Sequence, residues 1–189
     1  MINKVVLVLF VTLLMTITFS VSVAAGDEEN PEIKDNPRDT YFRSTDIRAV
    51  WFHEDPNEPE YLFISMKLSS LLFKWNIERG IAWECNGTLY YCYHRIFFFE
   101  SKMHRENWQL YVFPQTSSTP VPGTYDIFSK IITWKIDKTL IGNPEPGETL
   151  SDTRSFAALE SAKEMGASKI LFPDYAPDEG FGKEYTIQF

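Results

Sequence analysis

The chain has 189 residues, is 44% hydrophobic and 15% aromatic, and carries a formal net charge of −8 at pH 7. That acidity argues against nucleic acid as a partner, because binding it needs a basic surface that displaces counterions. Two cysteines and three histidines are too few for a disulfide-dense scaffold and, at their spacing, form no structural zinc motif.

Residues 1–25 read as a secretory signal peptide. Lys4 supplies the positive end, Val5 to Phe19 is an apolar run, and "SVSVAAG" places Val23 and Ala25 where a signal peptidase reads. The rival reading is an uncleaved anchor, for which the run is at the short end. The expected location is secreted or cell-surface, with no span left after removal of the leader. Residues 26–44 are acidic and proline-bearing and are expected to be a flexible N-terminal segment. A single domain is expected over 45–189, a size that buries enough surface to need no staple.

Structure begins with "DIRAVWF" (Asp46–Phe52), β-branched and aromatic, followed by the turn-rich "HEDPNEPE". In "YLFISMKL" (Tyr61–Leu68), Leu62, Ile64, Met66 and Leu68 share one face, the alternation of a half-buried strand. Asn86-Gly87 is a strong signal for a two-residue hairpin turn, with arms Ile81–Cys85 and Thr88–Phe99. That register sets Cys85 opposite Thr88 and Cys92 opposite Ile81. The cysteines then lie about 13 Å apart, beyond the ~7 Å limit for a disulfide. A bridge would need a wider loop.

"WQLYVF" (Trp108–Phe113) reads as another strand, and "PQTSSTPVPG" as a loop. "TYDIF" and "IITWKI" read as a second hairpin across Ser129-Lys130, with Ile132, Trp134 and Ile136 inward. "IGNPEPGETL" is too rich in proline and glycine for regular structure. "DTRSFAALESAKEMG" (Asp152–Gly166) is rich in helix formers and predicts one late surface helix, with Asp152 or Thr153 as its cap and a Phe156, Leu159, Met165 seam. "PDYAPDEGFG" reads as a loop and "EYTIQF" as a closing strand. Eight or more short strands with one helix predict an all-β, antiparallel β-sandwich of jelly-roll-like layout.

The segments "DIRAVWF…EYLFISMKL", "AWECNGTLYY", "ITWKIDKTLIGNPEPGETL" and "DYAPDEGFGKEYTIQF", in that order over Asp46–Phe189, resemble a family of secreted, largely archaeal β-sandwich domains. These are similar in layout to carbohydrate-binding modules of the family 9 type and to DOMON-like sandwiches. The chain departs from that pattern at Ile136-Asp137, where the family carries a proline, and in the helix-forming stretch after Leu150. The resemblance implies a fold and export. It brings no catalytic residues.

No glycine-bracketed serine and no phosphate loop is present, and His53, His94 and His104 lack metal-pair spacing. The leading expectation is an exported, non-enzymatic binding or surface/accessory protein with no required cofactor. The alternative is a carbohydrate-binding module, with polysaccharide or a cell-surface component as partner. A hydrolase lacking any recognisable motif is the distant third. Trp75, Tyr91, Tyr93 and Trp108 are the aromatics expected to be exposed for a ligand, while Trp51, Trp83 and Trp134 are expected in the core. Two acidic loops suit a structural calcium ion, which takes six to eight oxygens. The first carries Glu54, Asp55, Glu58 and Glu60. The second, Asp174, Asp178 and Glu179, is the stronger candidate. Asn86 also opens a glycosylation sequon, Asn-Gly-Thr.

Overall fold

A computed structural model describes residues 26–71, 77–99, 102–113, 118–160 and 170–189. The protein is an antiparallel β-sandwich. Its strands are β1 (Ile33–Lys34), β2 (Ile47–Asp55), β3 (Glu58–Leu68), β4 (Ile77–Cys85), β5 (Thr88–Phe99), β6 (Lys102–Val112), β7 (Ser118–Pro120), β8 (Gly123–Asp126), β9 (Ile131–Asp137), β10 (Thr149–Glu160), β11 (Ile170–Ala176) and β12 (Tyr185–Thr186). The smaller sheet runs β1-β2-β3-β9-β8, and the larger runs β11-β10-β4-β5-β6-β7 with β12 also paired to β10. A 3-10 turn at Lys138–Ile141 leads out of β9, capped by the Asp137 carboxylate, which accepts from Thr139 N at 2.9 Å.

Alternation builds the core. Leu62, Ile64 and Met66 on β3 face Ile136, Trp134 and Ile132 across the ladder, and all six are fully buried. Trp83, Ile81 and Cys92 answer them from the larger sheet, also fully buried. Trp51, 7% exposed, is buried as expected. The Asn86-Gly87 hairpin forms in the expected register, with Cys85 opposite Thr88 and Cys92 opposite Ile81. Both central residues have positive φ (51° and 72°), the type I′ geometry that suits right-twisted strands. Both cysteines are free and buried.

Three expectations are corrected, besides the loop expected over 114–123, which holds strand β7 at Ser118–Pro120, paired with β6. The late helix does not exist over its first half: Thr149–Glu160 is β10, hydrogen-bonded on both sides by β4 and β11. Alanine, leucine and glutamate favour a helix in isolation, but a strand flanked on both sides outweighs that weak preference. Asp152 caps nothing; it has φ 51° where the β10–β4 register shifts. Met165 lies outside the described residues. The loop expected around Pro173 is strand β11, which tolerates proline because it is the sheet's edge.

The third correction concerns the N-terminal segment, which is docked on the domain. Ile33 on β1 is 1% exposed and packs in the core, and β1 pairs with β2. The buried Glu32 carboxylate accepts from Phe52 N at 2.8 Å, and its carbonyl accepts from Lys183 N. Among the described residues no helix is long and apolar enough to cross a membrane.

Candidate functional site

The outer face of the larger sheet carries a row of aromatic rings. Side chains at alternate positions leave the core for this face: Tyr91 and Tyr93 on β5, Tyr111 on β6, Phe156 on β10 and Tyr175 on β11. Tyr93 lies near Tyr111 (centroids 5.6 Å apart, planes 20° apart) and near Tyr91 (5.7 Å, 13°). Tyr91 continues to Phe156 (5.8 Å, 17°), and Phe156 to Tyr175 (6.5 Å). Between β5 and β10 stands β4, and there the residue is Gly80, opposite both Tyr93 and Phe156. A Cβ at Gly80 would lie 2.6 Å from Tyr91 Oη, so the absence of a side chain lets the row cross the strand without a gap.

Polar groups border the rings. Glu78 accepts from Tyr91 Oη at 3.1 Å and from Arg95 Nε at 2.7 Å, and Arg95 lies 5.9 Å from the Tyr93 ring centroid. Burial, then the hydrogen bond with Tyr111, pushes the Tyr93 phenol up to about 12, so it stays a neutral donor or acceptor. At the Tyr175 end the row meets a cavity of about 260 Å³ lined also by Arg154, Ser155 and Asp178.

Tyr91 and Tyr93, expected to be exposed, are half-buried on an outer face. Trp108 is not. It is 6% exposed and packs on His94 (4.3 Å), Tyr125 (5.2 Å) and Trp134 (5.5 Å) inside the sandwich, because it shares the inward phase of Leu110. Trp75 lies outside the described residues. Tyr111, Phe156 and Tyr175 were missed: the first was read only as part of a strand, the second as a helix seam and the third as loop.

The acidic residues gather at one end of the sandwich. Carboxylate oxygens of Asp35, Asp39 and Asp178 lie within 4.8 Å of one another, and so do those of Asp39, Asp46 and Asp174. Asp174 and Asp178 are thus brought together with Asp35 and Asp39 of the N-terminal segment and with Asp46, directly before β2, while Glu179 belongs to neither group. Asp46 accepts from Arg38 N, Asp174 from Ile47 N at 2.6 Å, and Asp178 from Asn36 Nδ2 at 2.9 Å. Among the described residues no lysine or arginine forms an ion pair with any of the five. Burial, followed by the neighbouring carboxylates, raises Asp35 to about 7. Burial also raises Asp174 to about 6, against a hydrogen bond from Ile47 N that lowers it. Asp35 Oδ2 is buried without a hydrogen-bond partner. An all-oxygen, all-anionic set with an orphaned buried oxygen fits a hard cation of calcium type.

The first acidic loop has another job. Glu54 is buried and pairs with the equally buried Lys138, and it accepts from Tyr185 Oη at 3.1 Å and Gln188 N at 2.6 Å. Glu58 pairs with Lys135 at 2.8 Å. Asn86 donates its side-chain amide to Glu148 at 3.0 Å, so the sequon's acceptor nitrogen is engaged by a carboxylate.

His94 is fully buried, and burial with the adjacent Arg79 guanidinium holds it near 3, neutral at physiological pH. His53 stacks on Phe63 at 5.2 Å. No family model, no curated protein and no solved structure matches the chain.

Proposed function

We propose that this protein is an exported, non-enzymatic binding protein whose ligand lies on the aromatic outer face of the larger sheet, and that the ligand is carbohydrate. The unbroken row of rings from Tyr111 to Tyr175 carries the reading. Aromatic faces pack the apolar C–H faces of sugar rings, and nearby polar groups such as Glu78, Arg95 and Arg154 supply directional hydrogen bonds. The leader-like residues 1–25 support export, and so does the resemblance to secreted β-sandwich domains.

Affinity electrophoresis of the protein through gels cast with neutral polysaccharides tests this. Retardation by at least one polysaccharide, lost in Tyr93→Ala and Tyr111→Ala variants that melt like wild type, is the expected result. Unchanged mobility in every polysaccharide, or retardation indifferent to both substitutions, overturns it.

A second reading rests on the orphaned Asp35 oxygen. We propose that Asp35, Asp39, Asp46, Asp174 and Asp178 hold calcium, which would tie the N-terminal segment to β2 and β11. A bound ion stabilises by RT ln(1 + [L]/Kd), about 2.7 kcal/mol at a hundredfold excess over Kd. Calcium should therefore raise the melting temperature above that in chelator, and Asp39→Asn should abolish the difference. Identical melts in calcium and chelator defeat the assignment.

A further inference from the structure

The smaller sheet has a site of opposite character. A cleft of about 450 Å³ lies on its outer face, floored by Arg48, Ala49 and Lys67 and walled by the N-terminal segment and the β8–β9 turn. Six cations line it: Lys34, Arg38, Arg43, Arg48, Lys67 and Lys130. Only two acids do, Glu28 and Asp35, in a chain whose net charge is −8. Lys67 is paired with Glu28. The other five make no ion pair among the described residues.

Exposed lysines and arginines are ordinarily solvated singly, and an isolated one means nothing. Here they converge on one concavity from four separate parts of the chain, against their mutual repulsion. Their backbone points the same way. Among the described residues five other than glycine have positive φ: Arg38, Asn86, Lys130, Asn143 and Asp152. Three are Asn or Asp, which adopt that region readily. The two that are not, Arg38 at φ 68° and Lys130 at φ 62°, both line the cleft. Glycine would serve the turns better, so the cations sit there against local preference, a pattern found at functional sites.

We propose that this cleft binds a chain bearing sulfate or phosphate ester groups. Several cations with a surplus of positive charge suit an anion carrying more than one negative charge, and guanidinium groups match tetrahedral oxyanions through paired N–H donors. The volume is that of an ordinary small-ligand site. The aromatic face plays no part in it.

Isothermal titration with dextran sulfate, dextran phosphate and plain dextran tests the site. The key variant is Arg38→Gly with Lys130→Gly. Glycine is at ease at positive φ, so this variant loses two charges while keeping or gaining stability. Wild type should bind at least one charged dextran saturably, with affinity falling steeply as salt rises. The double glycine variant should bind about tenfold or more weakly, with a salt slope shallower by about 1–2. An Arg43→Ser, Arg48→Ser variant should lose affinity likewise. Lys135→Gln, at the far end of the same sheet, and Tyr93→Ala should both bind the charged dextran like wild type. Preference between the two charged dextrans names the ester. No saturable binding to either charged polymer, or equal binding by wild type and the double glycine variant, overturns the proposal. Loss with Tyr93→Ala also overturns it, by moving the polyanion to the other face.

Discussion

The two outer faces of this sandwich are built by different means. On the larger sheet the rings ride on hydrogen-bonded ladder positions, and the pleat fixes their spacing. On the smaller sheet the charged groups come mostly from the docked N-terminal segment, which carries the two-residue strand with Lys34, and from a turn, and only Arg48 and Lys67 stand on the long strands β2 and β3. A ladder-borne site is as rigid as the sheet that carries it. A loop-borne site exists only while the segment that bears it stays docked. Changes to the sheet should therefore disturb the aromatic face first, and changes to the N-terminal segment the charged end first.

The core beneath both faces gives the largest test. Trp134 is fully buried between Ile132 and Ile136, so Trp134→Ala should cost about 3–5 kcal/mol in denaturant melts and weaken both faces together. A loss below about 1 kcal/mol would mean that the two faces of β9 are misassigned.

Glu32 tests the docked segment alone. Burial, outweighing the hydrogen bond from Phe52 N, raises its carboxyl to about 7 from an ordinary 4.5. The native state thus holds this proton more tightly than the unfolded chain does. Its contribution to stability is complete below about pH 4.5 and is lost as pH rises through 7. Glu32→Gln should be more stable than wild type at pH 8 by about 2 kcal/mol and close to it at pH 4.5. A wild-type minus variant difference independent of pH would contradict the burial argument.

Gly80→Ala is aimed at the aromatic face. The added methyl would collide with a Tyr91 ring held by Glu78, Tyr93 and Phe156. The expected cost is about 1–2 kcal/mol, with polysaccharide retardation reduced and polyanion titration unchanged. An equal effect on both ligands would erase the distinction between the faces. The smallest expected effect is none: reductant should leave the melting temperature where it is, because Cys85 and Cys92 are free and do not face each other.

These contrasts follow what could be read from the sequence. The hairpin at Asn86-Gly87 was legible to the residue, since turn chemistry and register are local matters. The inward triplets of β3 and β9 were legible because alternation is a short-range signal. Residues Asp152 to Glu160 misled because their helix propensity is local while their strand partners, Arg79 and Tyr175 among others, are distant in sequence. Trp108 misled because its exposure depended on the phase of β6 relative to the core, which a single aromatic does not reveal. Half of the acidic site was visible in one loop as Asp174 and Asp178. The rest lies more than a hundred positions earlier: Asp35 and Asp39 in a stretch that reads as disordered, and Asp46 at the start of the first expected strand. The cationic cleft was invisible for the same reason, and the negative total charge concealed it further.

The docking of the N-terminal segment has a consequence for how long each function lasts. Residues 36–39 and Tyr41 are exposed, with Tyr41 80% accessible, so the stretch after β1 offers itself to proteases as the interior strands do not. One cut there would free the piece carrying Asp35, Lys34 and the partner of β2. The acidic cluster and the cleft would lose members in the same event, while the Tyr111-to-Tyr175 row, carried wholly on the other sheet, would remain. Proteolytic age would then decide which face of the molecule still works.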